Sequence, residues 1–445
     1  MTEPRHRRPG TEPGGTHAAA GRLRWRLMAG LPAVLAATAV GMVWGLHPYD
    51  PAGPPDQVRL SLRGDPHTSM TVVWHAQDAD SAVVEVSDGV TTRGVPGRRT
   101  GGAPIGAGEW FEADLTGLRP GTTYRYAIAG GDAKTPSYQF RTEPAGPHPV
   151  RFDVFADQGD CLHYGPACRV MEGIAEDRPD FVLGAGDLTY ANDNGMAAAD
   201  VWGNDVMRHY ATWAPLMPTP GNHEYLSPDT VQNYQGRFAL PGEELGHTGI
   251  GHASGDYYSF DYGSVHVVAL PERYVDMKAG GRFQQWLEDD LRRAAANPAI
   301  TWRVAFDHRP FYSTGQRHGA DHTYVKWVQP VLEKYHFDLV FSGHEHEYER
   351  TLPMLKGVAS TADRYSWRKG VGIAYVVTGG GGAPVYNDFG PAQPWDGFRK
   401  KGHEHLVVDV SADGRTLRMT ALDDDNRHAV IDQFTIMAPA STAGA

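Results

Sequence analysis

The chain has 445 residues, of which 41% are apolar and 21% are charged. This balance excludes a disordered or fibrous protein, and the length suffices for two or three domains. The formal net charge of −12 excludes the global basic field typical of nucleic-acid binding, so we expect no nucleic-acid-binding surface.

The N-terminal residues 1–46 have the pattern of a targeting segment. An arginine-rich stretch is followed by the uncharged run LMAGLPAVLAATAVGMVWGL, residues 27–46. A run of this length can span a bilayer, whereas a shorter apolar core before Ala37-Thr38-Ala39 suits signal peptidase cleavage. We favour a cleaved signal peptide over an uncleaved anchor. Either interpretation predicts export, to the extracellular space or the outer side of the cytoplasmic membrane, with membrane contact only through this segment.

The chain contains two cysteines, Cys161 and Cys168. This number excludes a disulfide scaffold and a cysteine-based zinc cluster. In the oxidising compartment that export implies, the two thiols can pair, and the alternative is two reduced, inert thiols.

A Pro/Gly linker, residues 47–56, precedes a segment of short alternating strands at residues 57–143. The strands QVRLSL, MTVVWHA, AVVEVSD, YRYAIAG and SYQFRTE are separated by turn signals, which predicts a small β-sandwich. The stretch LTGLRPGTTYRY resembles the tyrosine corner of fibronectin type III domains, with Tyr124 or Tyr126 as the corner residue. Trp74 is the expected core aromatic. No catalytic residues gather here, so we favour a structural role over substrate gating.

Residues 149–437 form the main predicted domain. Short continuous apolar runs alternate with helical patterns such as GRFQQWLEDDLRRAAA, which predicts an α/β core with strands buried on both faces. The stretch HLVVDVSADGRTLRMTAL predicts a β-hairpin. Residues 438–445 are a predicted frayed tail.

Five predicted strands of this domain end in residues that can bind metal. Four of the strands end at Asp157, at Asp187 with Tyr190 nearby, at His308, and at His344 with His346; the fifth leads to Gly221-Asn222-His223-Glu224. One such residue is more often a cap or a buried polar group, but five in chain order are hard to explain that way. Ligands bind at the carboxyl ends of strands in open α/β sheets, and these ligand types suit Fe, Mn or Zn.

The motifs resemble those of the purple acid phosphatases, within the calcineurin-like metallophosphoesterases. They are Asp157-x-Gly159, Gly186-Asp187-x-x-Tyr190, Gly221-Asn222-His223-Glu224, His308, and Gly343-His344-x-His346. The resemblance covers roughly residues 55–437. It implies an α/β sandwich of two sheets flanked by helices, preceded by a small all-β, fibronectin III-like sandwich. Most of the superfamily has Asp-x-His in the first motif. Here Gly159 replaces that histidine and Tyr190 supplies a phenolate ligand.

The resemblance also implies a dinuclear centre. The first metal, Fe(III), would be held by Asp157, Asp187, Tyr190 and His346. The second metal, Fe, Zn or Mn, would be held by Asp187, Asn222, His308 and His344. Asp187 would bridge the two ions, which would activate a hydroxide and clamp the phosphoryl oxygens.

Two histidines are implied to act on the substrate. His223 resembles the acid that contacts the phosphate or protonates the leaving group. His318 lies at the offset of a substrate-contacting histidine, and His322 competes for that role. Asp160 is an alternative to Asp157, but Asp157 ends the strand and has the required glycine two residues later.

The implied function is an exported dinuclear-metal acid phosphatase whose partner is a small phosphomonoester. The alternative is a phosphodiesterase, nucleotidase or phytase-like enzyme on the same centre. A second alternative is a non-catalytic surface-binding protein. His223 argues against that alternative, because a binding module has no need of an acid that faces the phosphate.

Overall fold

The computed structural model describes residues 54–76, 82–100, 108–130, 133–228, 230–242, 257–272, 277–386 and 388–439. The predicted signal peptide or anchor and most of the predicted linker and tail lie outside these residues. In the part of the chain that is described, no helix has the length and apolar character needed to cross a membrane.

The N-terminal domain is a sandwich of two antiparallel sheets. Its strands are β1 Asp56–Ser61, β2 Met70–Ala76, β3 Ala82–Ser87, β4 Thr92–Pro96, β5 Arg98–Arg99, β6 Glu109–Leu115, β7 Thr123–Gly130, β8 Ala133–Lys134 and β9 Tyr138–Arg141. One sheet has the order β1-β2-β6-β5, and the other has the order β4-β3-β7-β8 with β9 paired to β7. Trp74 is fully buried. The hydroxyl of Tyr124 accepts a hydrogen bond from the Arg119 backbone N–H at 2.9 Å, as in a tyrosine corner.

Two seven-stranded sheets form the framework of the second domain. Its strands are β10 Val150–Phe155, β11 Phe181–Ala185, β12 Leu216–Thr219, β13 Tyr258–Tyr262, β14 Val265–Ala269, β15 Trp302–Phe306, β16 Leu339–Ser342, β17 Tyr348–Thr351, β18 Met354–Leu355, β19 Val358–Ala359, β20 Ser366–Arg368, β21 Ala374–Thr378, β22 Asp396–Lys400, β23 Glu404–Val410, β24 Thr416–Asp423 and β25 Ala429–Met437. The first sheet has the order β12-β11-β10-β23-β24-β25-β20, and the second has the order β13-β14-β15-β16-β21-β17-β22. Strands β23 and β24 form the predicted hairpin.

Helices accompany the two sheets. They are α1 Gly165–Asp177, α2 Ala191–Asn194, α3 Met196–Val201, α4 Arg208–Ala211, α5 Val231–Arg237, α6 Arg282–Ala296, α7 His322–Trp327 and α8 Gln329–Lys334, with a π-helix at Trp202–Met207 and a 3₁₀ turn at His223–Tyr225. Helix α6 buries Phe283, Leu287 and Leu291 along one face, as its helical spacing predicts. The fold is the predicted two-sheet α/β sandwich preceded by an all-β domain.

Parallel pairing brings the ends of the motif-bearing strands together. Strands β10, β11 and β12 are parallel in the first sheet, and β14, β15, β16 and β21 are parallel in the second. Most of their residues are apolar and buried, although Asp153, His266 and Arg303 lie inside three of the strands. The predicted ligands follow where the strands end. The carboxyl ends of the two sheets therefore face one common space. Beside it, Cys161 and Cys168 form a disulfide.

Candidate metal centre

Strained turns project the predicted ligands into this space. Asp157, Asp187, Tyr190 and His344 all have a left-handed backbone, with φ of 57°, 51°, 51° and 72°. A residue with a side chain in this region costs on the order of 1 kcal/mol. Such strain persists only where the surrounding structure imposes it, and it is typical of functional sites.

Asp157, Tyr190 and His346 form one group of potential ligand atoms. The Tyr190 hydroxyl lies 3.1 Å from Oδ1 of Asp157 and 3.0 Å from Nε2 of His346. Oδ1 of Asp157 and Nε2 of His346 are 3.3 Å apart. Adjacent ligands on metal bonds of about 2.1 Å lie about 3 Å from each other, so this triangle has the dimensions of one face of a coordination site.

Asn222, His308, His344 and Asp187 form the second group. Nε2 of His308 lies 3.0 Å from Oδ1 of Asn222, 3.1 Å from Nδ1 of His344 and 3.2 Å from Oδ2 of Asp187. All seven predicted ligands therefore converge at the ends of the strands, in two groups. Asp160 does not join them, because its carboxylate accepts hydrogen bonds from the backbone of Leu162 and His163.

Backbone carbonyls orient two of the imidazoles. Nδ1 of His308 donates to the Ala185 carbonyl at 3.0 Å, and Nδ1 of His346 donates to the Pro384 carbonyl at 2.8 Å. In each ring, Nε2 is left to face the cluster. Metal-binding histidines are held in this way in proteins, with the second ring nitrogen fixed by a hydrogen bond.

Two glycines allow the motifs to approach each other. A Cβ on Gly221 would lie 2.1 Å from Oδ1 of Asp187, and a Cβ on Gly343 would lie 2.3 Å from Oδ2 of Asp157. Real Cβ atoms do not tolerate such distances. The glycines of these motifs thus make room for the neighbouring carboxylates.

Electrostatics within the cluster favour bound cations. Burial alone lowers the pKa of His308, but the carboxylates of Asp187 and Asp157 raise it to about 10. Burial next to His308 lowers the pKa of His344 well below its usual range. Burial, with the charges of Asp157 and Asp187, raises the pKa of the Tyr190 phenol well above its usual value. The carboxylates thus draw a positive charge onto a buried imidazole, and a metal ion can replace that charge.

His223 faces the cluster from the edge of the 3₁₀ turn. Its Nδ1 donates to Oδ1 of Asn192 at 2.7 Å, which directs Nε2 inward to 3.7 Å from Oδ2 of Asp187. The ring lies over Tyr190 with 4.4 Å between centroids. Asn192 lies in the short helix α2 directly after Tyr190, and no sequence pattern identified it as the partner that orients His223.

His318 also contacts the cluster. Among the described residues, His322 makes no hydrogen bond, ion pair or ring contact with the predicted ligands. The His318 ring stacks on the His344 ring with 4.0 Å between centroids, and its backbone N–H donates to Glu345. His322 instead begins helix α7. Tyr386 stacks on His346 at 4.1 Å and forms a second aromatic wall, which sequence analysis missed because Tyr386 lies in a loop without a motif.

An open cleft of about 440 Å³ extends from His344 and His318 toward the surface. Its lining includes Arg309, Arg317 and His322. Arg309 pairs with Glu272 at 2.8 Å, and Arg317 lies over the Tyr386 ring. Positively charged side chains beside the candidate centre suit an anionic ligand.

Glu224 braces two of the motif loops and is a further residue whose role the sequence did not reveal. Its buried carboxylate accepts hydrogen bonds from the backbone N–H groups of Asp187 at 3.0 Å, Leu188 at 2.8 Å and Gly221 at 2.8 Å. The available signal was its position directly after Asn222 and His223 in the third motif. Glu224 fixes the loop of Asp187 against the loop of Asn222.

This two-sheet fold, with ligand side chains at the strand ends, defines a metallophosphoesterase. Residues 150–348 match the Calcineurin-like phosphoesterase family, and residues 55–142 match the family described as Purple acid Phosphatase, N-terminal domain.

Purple acid phosphatases are also among the similar proteins. Purple acid phosphatase 22 of Arabidopsis thaliana is 30% identical over 308 residues, which are 66% of this chain and 67% of that protein. Probable purple acid phosphatase 20 of the same plant is 29% identical over 396 residues, which are 83% of this chain and 86% of that protein. A purple acid phosphatase from yellow lupin (Lupinus luteus) seeds shares the fold with a TM-score of 0.73 and 22% identity, over 87% of this chain and 75% of that one.

The chain belongs to the purple acid phosphatase family. It is an acid phosphatase-type hydrolase, and its family implies a dinuclear metal centre.

Proposed function

We propose that this protein is an exported acid phosphatase that hydrolyses small phosphomonoesters at a dinuclear metal centre. The observation that carries the proposal is the position of Asp187. Its carboxylate lies 3.2 Å from His308 in one ligand group, and its charge also acts on Tyr190 and His346 in the other. A carboxylate between two groups of ligand atoms is suited to bridge two cations.

The donor set supports the following assignment. The first ion would be held by Asp157, Asp187, Tyr190 and His346. The second ion would be held by Asp187, Asn222, His308 and His344. A phenolate with carboxylates favours Fe(III) at the first site, and the imidazoles and amide oxygen suit Fe, Zn or Mn at the second. When bound, the two ions act as Lewis acids that activate water and stabilise the charge on the phosphoryl oxygens.

His223 and His318 act on the substrate in this proposal. Asn192 fixes Nδ1 of His223, so Nε2 is the atom that transfers a proton to the oxygen of the leaving group. His318 is held against His344 by ring stacking, where it hydrogen-bonds a phosphoryl oxygen. The two histidines thereby serve different oxygens of the same ester.

The cleft beside His344 supports an anionic substrate. Arg309 and Arg317 on its wall attract the phosphate dianion to the centre.

Export is supported by two features of the chain. The uncharged run at residues 27–46 follows an arginine-rich flank, and Cys161 is disulfide-bonded to Cys168, a bond that persists in oxidising compartments. Fusing residues 1–56 to a reporter that is active only outside the cytoplasm tests this directly. We expect the fused reporter to be active. Replacing the apolar run with charged residues should abolish this activity.

The purified full chain tests the catalytic proposal. We expect two ions at the proposed centre, one of them iron, a visible absorption band, and turnover of an aryl phosphate monoester with an acidic optimum. Preference for a bis-aryl phosphate diester would favour the phosphodiesterase alternative. Folded, metal-loaded protein that hydrolyses neither ester would contradict the catalytic role.

A further inference from the structure

A buried carboxylate without a partner lies in the middle of the first sheet, away from the candidate catalytic centre. Asp153 is on the central strand β10, paired with Val182 on β11 and Val407 on β23. It has no exposed surface, and neither carboxylate oxygen has a hydrogen-bond partner. It precedes Asp157 by four residues, about 13 Å along an extended strand. Burial raises the pKa of Asp153 well above its usual value, because a buried carboxylate is costly unless a cation compensates its charge.

Two further potential ligands surround this carboxylate. Asp177 is the last residue of helix α1, and His405 lies on β23. One ligand atom from each of Asp153, Asp177 and His405 lies within 4.8 Å of the other two. Nε2 of His405 is 2.8 Å from Oδ2 of Asp177. Small side-chain movements would let one metal ion bind all three atoms, because ligand atoms on metal bonds of about 2.1 Å lie at most about 4.2 Å apart.

A carboxylate fixes Nδ1 of His405, as is typical of metal-binding histidines. Nδ1 lies 2.9 Å from Oδ2 of Asp424, so this carboxylate accepts the Nδ1 proton. Nε2 then faces Asp177 and Asp153, and its lone pair becomes available to an ion that displaces the proton. The arrangement is the carboxylate–histidine pair that orients metal-binding imidazoles.

The packing around the cluster holds these side chains in place. A Cβ on Gly173 of helix α1 would lie 2.5 Å from Cε1 of His405 and 2.9 Å from Oδ1 of Asp424, so this helix closes directly over the cluster. The Asp177 side chain is 23% exposed, which provides a path for an ion. The carboxyl end of α1 also carries the partial negative charge of the helix.

We propose that Asp153, Asp177 and His405 form a third metal site, which binds a divalent ion of the zinc or manganese type. Two carboxylates and one imidazole are ligands that suit these ions, with water completing the coordination. The ion would link β10, β23 and α1 and so has a structural role. The competing explanation is a buried ion network without metal, in which His405 is an imidazolium between Asp177 and Asp424.

Metal counting in the full chain distinguishes these explanations. After equilibration with Zn²⁺ and removal of free metal, wild type is expected to retain one more ion per chain than Asp153→Asn. Asp409→Asn, on the same strand as His405 but paired with Arg151, is the matched control and should retain as many ions as wild type. Equal metal content in wild type and Asp153→Asn would overturn the proposal.

The Asp187→Asn background separates this site from the catalytic centre. Asp187→Asn should retain the third ion and gain thermal stability on addition of Zn²⁺, whereas Asp187→Asn/Asp153→Asn should not. Should Asp153→Asn fail to fold, anomalous diffraction from wild-type crystals grown with Zn²⁺ decides the question. A peak between Asp153 and His405 is expected. Peaks at the strand ends with none at this position would refute the site.

Discussion

The ring of Tyr164 occupies the space where a side chain at position 159 would lie. A Cβ on Gly159 would come within 2.2 Å of Cδ2 of Tyr164, and Gly159 has φ of 71°. Tyr164 in turn packs edge-to-face on Tyr190, with 5.5 Å between ring centroids. The glycine that replaces the superfamily's histidine in the first motif thus leaves room for an aromatic ring that supports the predicted phenolate ligand.

Gly159→Ala should therefore displace Tyr164 and lower the free energy of unfolding by about 2–4 kcal/mol, from overpacking and backbone strain together. Chemical denaturation measures this loss. Combining it with Tyr164→Ala should recover the steric part, as a double-mutant cycle detects. Gly165→Ala is the matched control, because its Cβ meets nothing within 4 Å. An equal loss of unfolding free energy in Gly159→Ala and Gly165→Ala would show that Tyr164 does not restrict position 159.

Glu224→Gln should weaken metal retention and lower kcat/KM by about 10–100-fold, the range found when groups that orient metal ligands are changed. Glutamine keeps one oxygen for the N–H groups of Asp187 and Gly221, but its amide group cannot accept from Leu188. Glu224→Ala loses all three hydrogen bonds and should lose more. Metal analysis and steady-state kinetics measure both effects, and an alanine variant with unchanged metal content would remove Glu224 from this role.

Tyr190→Phe should abolish the visible absorption band and leave the protein folded. The ring contacts with Tyr164 and His223 need only the aromatic ring, whereas the hydroxyl is the proposed ligand atom. Absorption and circular dichroism spectra of metal-loaded protein test this. Tyr386→Phe is the control on the opposite wall and should keep the colour. A coloured Tyr190→Phe variant would reject Tyr190 as a ligand.

His223→Ala should retain both ions of the proposed centre and lose turnover, most for esters with poor leaving groups, by about 10²–10⁴-fold. Asn192→Ala should show a smaller loss with the same dependence on the leaving group, because it removes the nearer partner of Nδ1 but keeps the imidazole and leaves Asp193 3.5 Å from Nδ1. Rates across a series of aryl and alkyl phosphates provide the measurement. A loss that is the same for every ester would place the acid elsewhere.

The sequence predicted which residues meet at the candidate metal centre because each motif directly follows a strand, and each strand is recognisable from its own apolar run. Asp157 and His344 are distant in sequence, yet parallel strands deliver them to the same edge. The sequence pattern did not predict strand β6. This strand buries Glu112, which is paired with Arg63. A local sequence pattern cannot show that a distant residue compensates a buried charge.

The surroundings of the centre were also beyond sequence analysis. Asn192 comes from the one-turn helix α2, and Tyr386 and Arg317 come from loops. None of these segments has a periodic sequence pattern, and their positions depend on contacts between separate segments. His405 carried no motif, and its partners Asp177 and Asp153 come from a helix end and another strand. Side chains that meet only through tertiary packing cannot be paired from spacing alone.

His266 provides a test of electrostatics away from the proposed metal sites. Nδ1 lies 2.6 Å from Oδ1 of Asp261, and Nε2 lies 3.0 Å from Oδ2 of Asp290. Burial alone lowers the pKa of His266, but these two carboxylates raise it to about 9. A pKa raised on folding stabilises the native state fully below the unfolded value of about 6.5, and this stabilisation is lost as the pH rises through about 9.

His266→Gln should therefore be less stable than wild type at pH 6, and the difference should shrink by about 3 kcal/mol between pH 6 and pH 10. Urea unfolding of metal-loaded wild type and variant across this range measures it. His209→Gln is the contrasting control. Burial lowers the pKa of His209, so wild type should gain stability relative to that variant as the pH rises. A His266→Gln difference that does not change with pH would show that His266 is neutral in the folded protein.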